Sequence, residues 1–197
     1  MVHTIDKMKN TFFLTLLFLF CISACRDEET PSATVASASL FGVSLNADDT
    51  YTSNATPYGE VTLEDLGASV RLTVTLTNAT PNYRHAVHLH MGSCEQPGHH
   101  WNQGREEGFC NEMNLGEIWA RPKAGDVGNV NTDSNGNGTL VVESEFWALN
   151  TNDQKDLIGA VLIVHENMED FVVECFDDGH DHVHMNPKIA CGSIELR

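Results

Sequence analysis

In the stretch Val70-Arg71-Leu72-Thr73-Val74-Thr75-Leu76, every second residue is apolar. Side chains alternate between the two faces of a β-strand, so this pattern predicts a strand with one buried and one exposed face. Similar alternation occurs in residues 61–64 and 86–90, whereas residues 140–142 and 160–164 are continuously apolar and predict buried strands. Turn-forming residues such as Asn135-Gly136-Asn137-Gly138 separate these segments. Many short strands without a long amphipathic helix predict an all-β domain, a sandwich or a barrel.

Two long segments interrupt the strand pattern, residues 92 to about 125 and 166 to about 187. Loops of this length in a compact domain are usually functional. Both are rich in residue types that bind metals. A functional site is therefore expected where these loops meet the strands.

The N-terminus has the pattern of a targeting segment. Lys7 and Lys9 precede an apolar run over residues 12–22, which is too short to cross a bilayer as a helix. The run ends in Ile22-Ser23-Ala24-Cys25, which resembles the lipobox of bacterial lipoproteins, whose cysteine is acylated and becomes the new N-terminus. We predict a signal peptide over residues 1–24, a lipidated Cys25 with a flexible tether to residue 35, and one folded domain over residues 36–197. An ordinary secretory signal is the alternative.

Export places the protein at the periplasmic face or the surface of a bacterial cell envelope, with the lipid as its membrane contact. The run Arg26-Asp27-Glu28-Glu29 resembles the acidic tags of some surface-displayed lipoproteins, and a plain solvated run is the alternative. The chain has 28 acidic and 11 basic residues, and removal of the signal leaves 27 and 9, a net charge of −18. This charge argues against nucleic acid and anionic membrane surfaces as partners.

The cysteines are candidates for disulfides, because export implies an oxidising compartment. Cys21 leaves with the signal peptide and Cys25 is the lipidation site. Four cysteines then remain, Cys94, Cys110, Cys175 and Cys191. Three pairings of this set are possible.

The histidine pattern points to a metal. His88 and His90 lie two residues apart in a predicted strand, so both rings face one side and can bind one ion. A lone pair of this kind is more often two strand histidines without a metal, but this pair begins a series of motifs. The series is His88-Leu89-His90-Met91-Gly92-Ser93-Cys94, Gly98-His99-His100-Trp101-Asn102, Gly125-Asp126-Val127-Gly128-Asn129, Val164-His165-Glu166 and Ala190-Cys191-Gly192. In order and spacing it resembles the copper-zinc superoxide dismutases from about residue 36 to the C-terminus, although the segment between His90 and Cys94 is one residue shorter than usual.

The resemblance implies an eight-stranded Greek-key β-barrel with a metal site on its outer wall beneath two long loops. It implies copper ligands at His88, His90, His100 and His165, a Cys94–Cys191 disulfide, and superoxide as the substrate. At the position of His100 the family ligand releases reduced copper, takes up a proton and delivers it. Lys188 stands where the family has an arginine that draws superoxide toward copper. A lysine keeps the charge but lacks the planar fork of arginine, and a solvated surface lysine is the alternative.

The zinc half of the family site is incomplete. In the family, zinc is held by the bridging histidine, here His100, by the aspartate at the position of Asp126 and by two further loop histidines. No histidine occurs between Trp101 and Gly125, and Lys123 stands three residues before Asp126, so these last two ligands are missing. Because a tetrahedral zinc site needs four ligands, we predict no zinc site of the family type. A replacement through Cys110 or Glu112 is the alternative.

Loss of zinc leaves the second ring nitrogen of His100 in need of a partner, and Asp126 is the candidate. Four residues after His165 the chain has Glu169 where the family usually has an aspartate, which resembles the copper-only branch of the family. Glu169 is predicted to orient His88, and a surface acid is the alternative.

Two features have no counterpart in the family motifs. A Cys110–Cys175 bridge would join the two loops, and free thiols in a metal-ligand role are the alternative. The tract containing His180, His182 and His184 either collects copper or is a set of solvated loop histidines. The leading hypothesis is a copper-only superoxide dismutase with one copper per chain. The alternative is a copper-binding or copper-delivery lipoprotein, and the sequence predicts no oligomeric state.

Overall fold

The computed structural model describes residues 35–103, 124–169 and 186–197, and these contain nine β-strands. The strands are β1 (Val35–Leu45), β2 (Tyr51–Asp65), β3 (Val70–Leu76), β4 (Arg84–His90), β5 (Asp126–Asn131), β6 (Gly138–Ser144), β7 (Val161–His165), β8 (Lys188–Ser193) and β9 (Glu195–Leu196). All of them belong to one compact unit, Ser32–Arg197. The predicted signal peptide and Cys25 lie outside the described residues. No helix in the described ranges has the length and hydropathy needed to span a membrane.

The strands form one antiparallel sheet that curls into a nearly closed barrel. Its order is β5-β4-β7-β8-β1-β2-β3-β6, and the two-residue β9 pairs with β1. β5 and β6, at the two ends of this order, lie against each other. The connections from β3 to β4 and from β6 to β7 cross between strands that are not neighbours in the sheet. The predicted all-β, eight-stranded Greek-key barrel is therefore confirmed.

The core follows from the alternation in the sequence. β3 buries Val70, Leu72, Val74 and Leu76, while the residues between them are partly exposed. β7 is buried along its whole length, as its continuous apolar run predicts. β6 differs from its prediction as a buried strand, because Val141 is 54% exposed and burial alternates along the strand. β6 covers the core with one face only, whereas the second face of β7 is also covered, because Val161 and Ile163 pack with Cys191, Val43 and Cys94.

The neighbouring strands β4 and β7 position the metal-binding candidates. Their ladder pairs Val87 with Val164 and His88 with Ile163, so His88 and the terminal His165 of β7 lie near each other. β8 continues the sheet on the other side of β7 and pairs Lys188 with His165. Three sequence-distant segments thus meet at one place on the barrel.

Candidate metal centre

Four buried histidines converge on one point of the barrel wall. His88 and His90 come from β4, His165 from the end of β7, and His100 from the loop after β4. Each offers one ring nitrogen, and these four atoms lie within 4.8 Å of one another. Their residues are at most 5% exposed. Four imidazole nitrogens at this separation form a donor set suited to a transition metal such as copper or zinc.

The loop that carries His100 is held against the end of β4 by backbone hydrogen bonds. The amide of Met91 donates to the carbonyl of His99 (3.2 Å), and the amide of Trp101 donates to the carbonyl of Leu89 (2.7 Å). A Cβ at Gly125 would lie 2.6 Å from the Trp101 carbonyl oxygen, so the close approach of this segment requires glycine. His100 therefore reaches the cluster from a fixed piece of backbone.

The outer nitrogens of three rings are bonded to oxygen acceptors. Nδ1 of His90 contacts the Gly98 carbonyl at 3.0 Å, and Nδ1 of His165 contacts the Asn186 carbonyl at 3.0 Å. Nδ1 of His100 contacts Oδ1 of Asp126 at 2.8 Å. Because a carbonyl or carboxylate can only accept, each Nδ1 carries the proton in the neutral ring and Nε2 keeps its lone pair. This is the tautomer that binds a metal through Nε2.

His88 is oriented the other way. Its Nδ1 lies 3.1 Å from Nε2 of His165, inside the cluster, and its Nε2 lies 3.6 Å from Oε2 of Glu169. Asn129 holds the backbone of Glu169 through two reciprocal hydrogen bonds of 2.8 Å. Glu169 and Asp126 thus lie beside His88 and His100 respectively, where outer carboxylates orient metal-binding rings.

The chemistry of the cluster fits a bound cation. Nε2 of His90 is buried and has no hydrogen-bond partner among the described residues, which is costly unless another group binds it. Burial lowers the pKa of His90 from 6.5 to about 2, with smaller contributions from the charges of His100, His165 and Lys188. The ring is therefore neutral at ordinary pH and presents an inward lone pair, which is what a metal ligand requires.

The buried His90 also predicts how pH affects the metal-free protein. The folded-state pKa of about 2 lies below the ordinary 6.5, so below pH 6.5 the unfolded chain binds a proton that the folded site does not. The free energy of unfolding should therefore decrease as pH falls from 6.5 toward 2, by up to about 1.4 kcal/mol per pH unit from this residue. Denaturant unfolding at a series of pH values from about 7.5 to about 5 measures this. The free energy of unfolding should decrease more steeply with falling pH in the wild type than in His90→Gln, and equal slopes would contradict the lowered pKa of His90.

Lys188 lies at the edge of the cluster. It pairs with His165 across the β7–β8 ladder and is half-buried. Its Nζ lies 5.0 Å from the centroid of the Tyr51 ring. Burial lowers the pKa of the Lys188 ammonium, and its charge acts on the His90 ring. The lysine is thus close enough to affect the electrostatics of the site.

The disulfide between Cys94 and Cys191 is present, with a Cα–Cα distance of 5.7 Å. It joins the loop after β4 to β8, because Cys94 lies between His90 and His100 in the chain and Cys191 lies on β8. Several other predicted features lie outside the described residues, namely Cys110, Glu112, Lys123, Cys175 and the tract with His180, His182 and His184.

Sequence reasoning missed two residues that support the site. His85 is fully buried, and its Nδ1 lies 2.9 Å from the carbonyl of His165. Asn186 accepts from His165 through its carbonyl, and its side chain makes two 2.9 Å hydrogen bonds to the backbone of Asn167. The position of His85, three residues before His88, places it on the opposite face of an ordinary strand, so alternation gave no signal for it. Asn186 lies in a region that reads as loop.

Comparison with known proteins agrees with this geometry. Residues 57–194 match the family model described as copper/zinc superoxide dismutase, which is more than half of the chain. The chain belongs to this family. Two relatives of the superoxide dismutase family are the Cu-Zn superoxide dismutase 2 of Aquifex aeolicus (strain VF5) and the Cu-Zn superoxide dismutase of Humicola lutea. The first is 26% identical over 146 residues, covering 69% of this chain and 78% of that protein. The second is 24% identical over 145 residues, covering 70% and 90%.

Solved structures show the same superoxide dismutase-like fold. A SOD-like protein from Bacillus subtilis is 17% identical and matches with a TM-score of 0.54, over 80% of this chain and 96% of that chain. The clock protein EA4 is 20% identical and matches with a TM-score of 0.56, over 84% and 96%. At these identities the likeness concerns the fold.

Proposed function

We propose that this protein is a copper-dependent superoxide dismutase that works without a zinc ion of the family type. The observation that carries the proposal is the convergence of four buried histidines, His88, His90, His100 and His165, within 4.8 Å. Copper bound there would supply one-electron chemistry, so that one superoxide is oxidised to oxygen and another is reduced to hydrogen peroxide. Membership of the copper/zinc superoxide dismutase family supports this reaction class.

His100 and Asp126 are the proposed proton-handling pair. The 2.8 Å contact lets the Asp126 carboxylate accept from Nδ1 of His100, which leaves Nε2 able to bind or release a proton. The carboxylate would also stabilise the positive charge of a doubly protonated ring. His100 can therefore deliver one of the two protons that hydrogen peroxide needs, the second coming from solvent, while Asp126 keeps its ring in place.

Lys188 is the proposed guide for the anionic substrate. Its ammonium group is half-buried beside the end of β7 and next to His165 in the ladder. A positive charge at the mouth of a low-dielectric site attracts a small anion even when the whole protein is strongly acidic. The lysine presents a point charge rather than a planar fork, so we expect attraction with looser orientation.

The preference for copper alone rests on the zinc side of the site. Of the four zinc-ligand positions of the family only two are matched here, by His100 and Asp126, and Nδ1 of His100 contacts Oδ1 of Asp126 at 2.8 Å. The sequence between Trp101 and Gly125 has no histidine to complete four zinc ligands. We therefore expect one copper per chain and almost no stoichiometric zinc.

Metal analysis and superoxide decay test this proposal together. The mature protein is incubated with both ions and dialysed, its copper and zinc contents are measured, and the copper-loaded form is assayed for superoxide removal. We expect one bound copper, little zinc and catalytic turnover. Near-equal zinc occupancy would contradict the copper-only assignment. The zinc site would then need a further ligand such as Cys110 or Glu112. Copper binding without turnover would favour a copper-binding or copper-delivery protein.

We also propose that the protein is exported and attached to the bacterial cell envelope through a lipidated Cys25. The support is the short apolar run and the Ile22-Ser23-Ala24-Cys25 sequence at its end. Mass spectrometry of the mature protein should find a diacylated or triacylated Cys25 as its first residue. A mature chain that begins elsewhere with an unmodified N-terminus would contradict the proposal.

A further inference from the structure

The aromatic ring of Tyr51 lies against the ammonium group of Lys188. The Nζ atom is 5.0 Å from the ring centroid, which is within the range of a cation–π contact. Tyr51 is partly buried at the first position of β2, and Lys188 is half-buried at the first position of β8. These residues are 137 positions apart in sequence, so only the barrel brings them together.

The backbone around Tyr51 is hydrogen-bonded to the loop after β4, which carries His100. The amide of Tyr51 donates to the carbonyl of Glu95 at 2.9 Å. Glu95 follows Cys94, whose disulfide partner Cys191 lies on β8, three residues after Lys188. Tyr51 is therefore linked to β8 through its hydrogen bond to Glu95 and the Cys94–Cys191 disulfide, and Lys188 is itself a residue of β8.

The turn before Tyr51 is also well ordered by hydrogen bonds. The amide of Asn46 donates to the carbonyl of Thr50 at 2.8 Å, and the Asn46 side chain donates to the Thr50 hydroxyl at 2.9 Å. The Thr50 hydroxyl donates in turn to Asp48 at 2.7 Å. The β1–β2 turn thus presents the Tyr51 ring from a defined position.

We propose that Tyr51 is a positioning residue that holds the Lys188 ammonium group at the edge of the metal site. A lysine side chain has four carbons and many rotamers, so its charge is spread over a wide volume unless a contact limits it. The face of an aromatic ring attracts the ammonium group and leaves its N–H groups available to an anion. The inference deepens the proposed function and rests on it only where Lys188 is said to guide superoxide.

Burial, and then the charge of Asp49, raise the pKa of the Tyr51 phenol. The phenol is therefore neutral at ordinary pH, and the contact depends on the ring rather than on a phenolate charge. Tyr51→Phe should keep the contact, and Tyr51→Leu should remove it.

Nuclear magnetic resonance of the metal-free protein tests the contact without any turnover. Protons above an aromatic face are shifted upfield, so the ε-methylene protons of Lys188 should be shifted in the wild type and in Tyr51→Phe. The shift should be lost in Tyr51→Leu, with the Cys94–Cys191 disulfide retained as a check on folding. An unshifted Lys188 in the wild type, or an unchanged shift in Tyr51→Leu, would overturn the proposal.

Azide binding to the copper-loaded protein tests the consequence for anions. We expect Tyr51→Leu to weaken azide affinity by about two- to fivefold, the scale of a partly exposed cation–π contact, and Tyr51→Phe to leave it unchanged. In a Lys188→Gln background the Tyr51→Leu change should have no further effect. Equal azide affinity in the wild type and Tyr51→Leu, or an equal loss in both backgrounds, would overturn the positioning role. If this pattern holds but superoxide is not consumed, the proposed function fails and the positioning role stands.

Discussion

His165→Ala should weaken copper binding by more than about 100-fold and abolish superoxide removal. Loss of an outer partner alone typically costs 10- to 100-fold, and this change removes a nitrogen donor from the cluster. The substitution also frees space in a buried wall between β4 and β8, so lower stability of the metal-free protein is expected as well. Competition titration with a copper chelator, followed by superoxide decay at saturating copper, measures both effects.

His99→Ala is the matched control for that experiment. His99 is a neighbour of His100 in sequence, but it is exposed and does not belong to the four-histidine group. It should keep copper affinity and activity close to those of the wild type. A His165→Ala variant that retained wild-type copper affinity would show that the metal is held elsewhere. Equal losses in both variants would show that the effect is not specific to the cluster.

Lys188→Glu should lower kcat/KM by about ten- to 100-fold at low salt, while copper occupancy and the copper spectrum stay unchanged. The physical reason is that a charge beside the site changes the encounter with a small anion, whereas the histidines act on the metal itself. The half-buried position of Lys188 strengthens this effect, because nearby protein screens a charge less than water does. Steady-state superoxide decay by the copper-loaded variants is the measurement.

Lys155→Glu is the control, since it makes the same change in net charge at an exposed residue whose Nζ donates to the Glu145 carbonyl. It should have a much smaller effect. A salt series adds a second check, because a Debye length of about 8 to 10 Å near physiological ionic strength screens an exposed charge. The difference between wild type and Lys188→Gln should shrink as salt rises, which separates guidance from the general repulsion by an acidic protein. Equal activity of these two proteins at low salt would exclude guidance by Lys188.

Segments of β2, β3, β4, β6 and β7 and the first pair of metal-binding histidines could be predicted from sequence, because both depend on short-range order. The alternation in residues 70–76 predicts β3 with its buried face, since side chains on a strand repeat every two residues. The same rule places His88 and His90 on one face of β4. His100 and His165 required the order and spacing of the motifs, and the barrel brings all four together.

The remaining features depend on long-range register, which no local pattern contains. Val141 belongs to an apolar run like that of β7, yet it is exposed on the outer face of β6, whereas Val161 and Ile163 on the outer face of β7 are covered by Cys191, Val43 and Cys94. The carbonyl of Asn186 binds Nδ1 of His165, which leaves Nε2 as the nitrogen that faces the cluster. The Tyr51 ring, at the start of β2, contacts Lys188 at the start of β8. The sequence by itself determined which residue types form the strands and which nitrogen donors exist. Only the tertiary structure decided which nitrogen faces the cluster and which ring holds the lysine, because hydrogen-bond and cation–π partners are chosen by distances of a few ångströms between segments far apart in the chain.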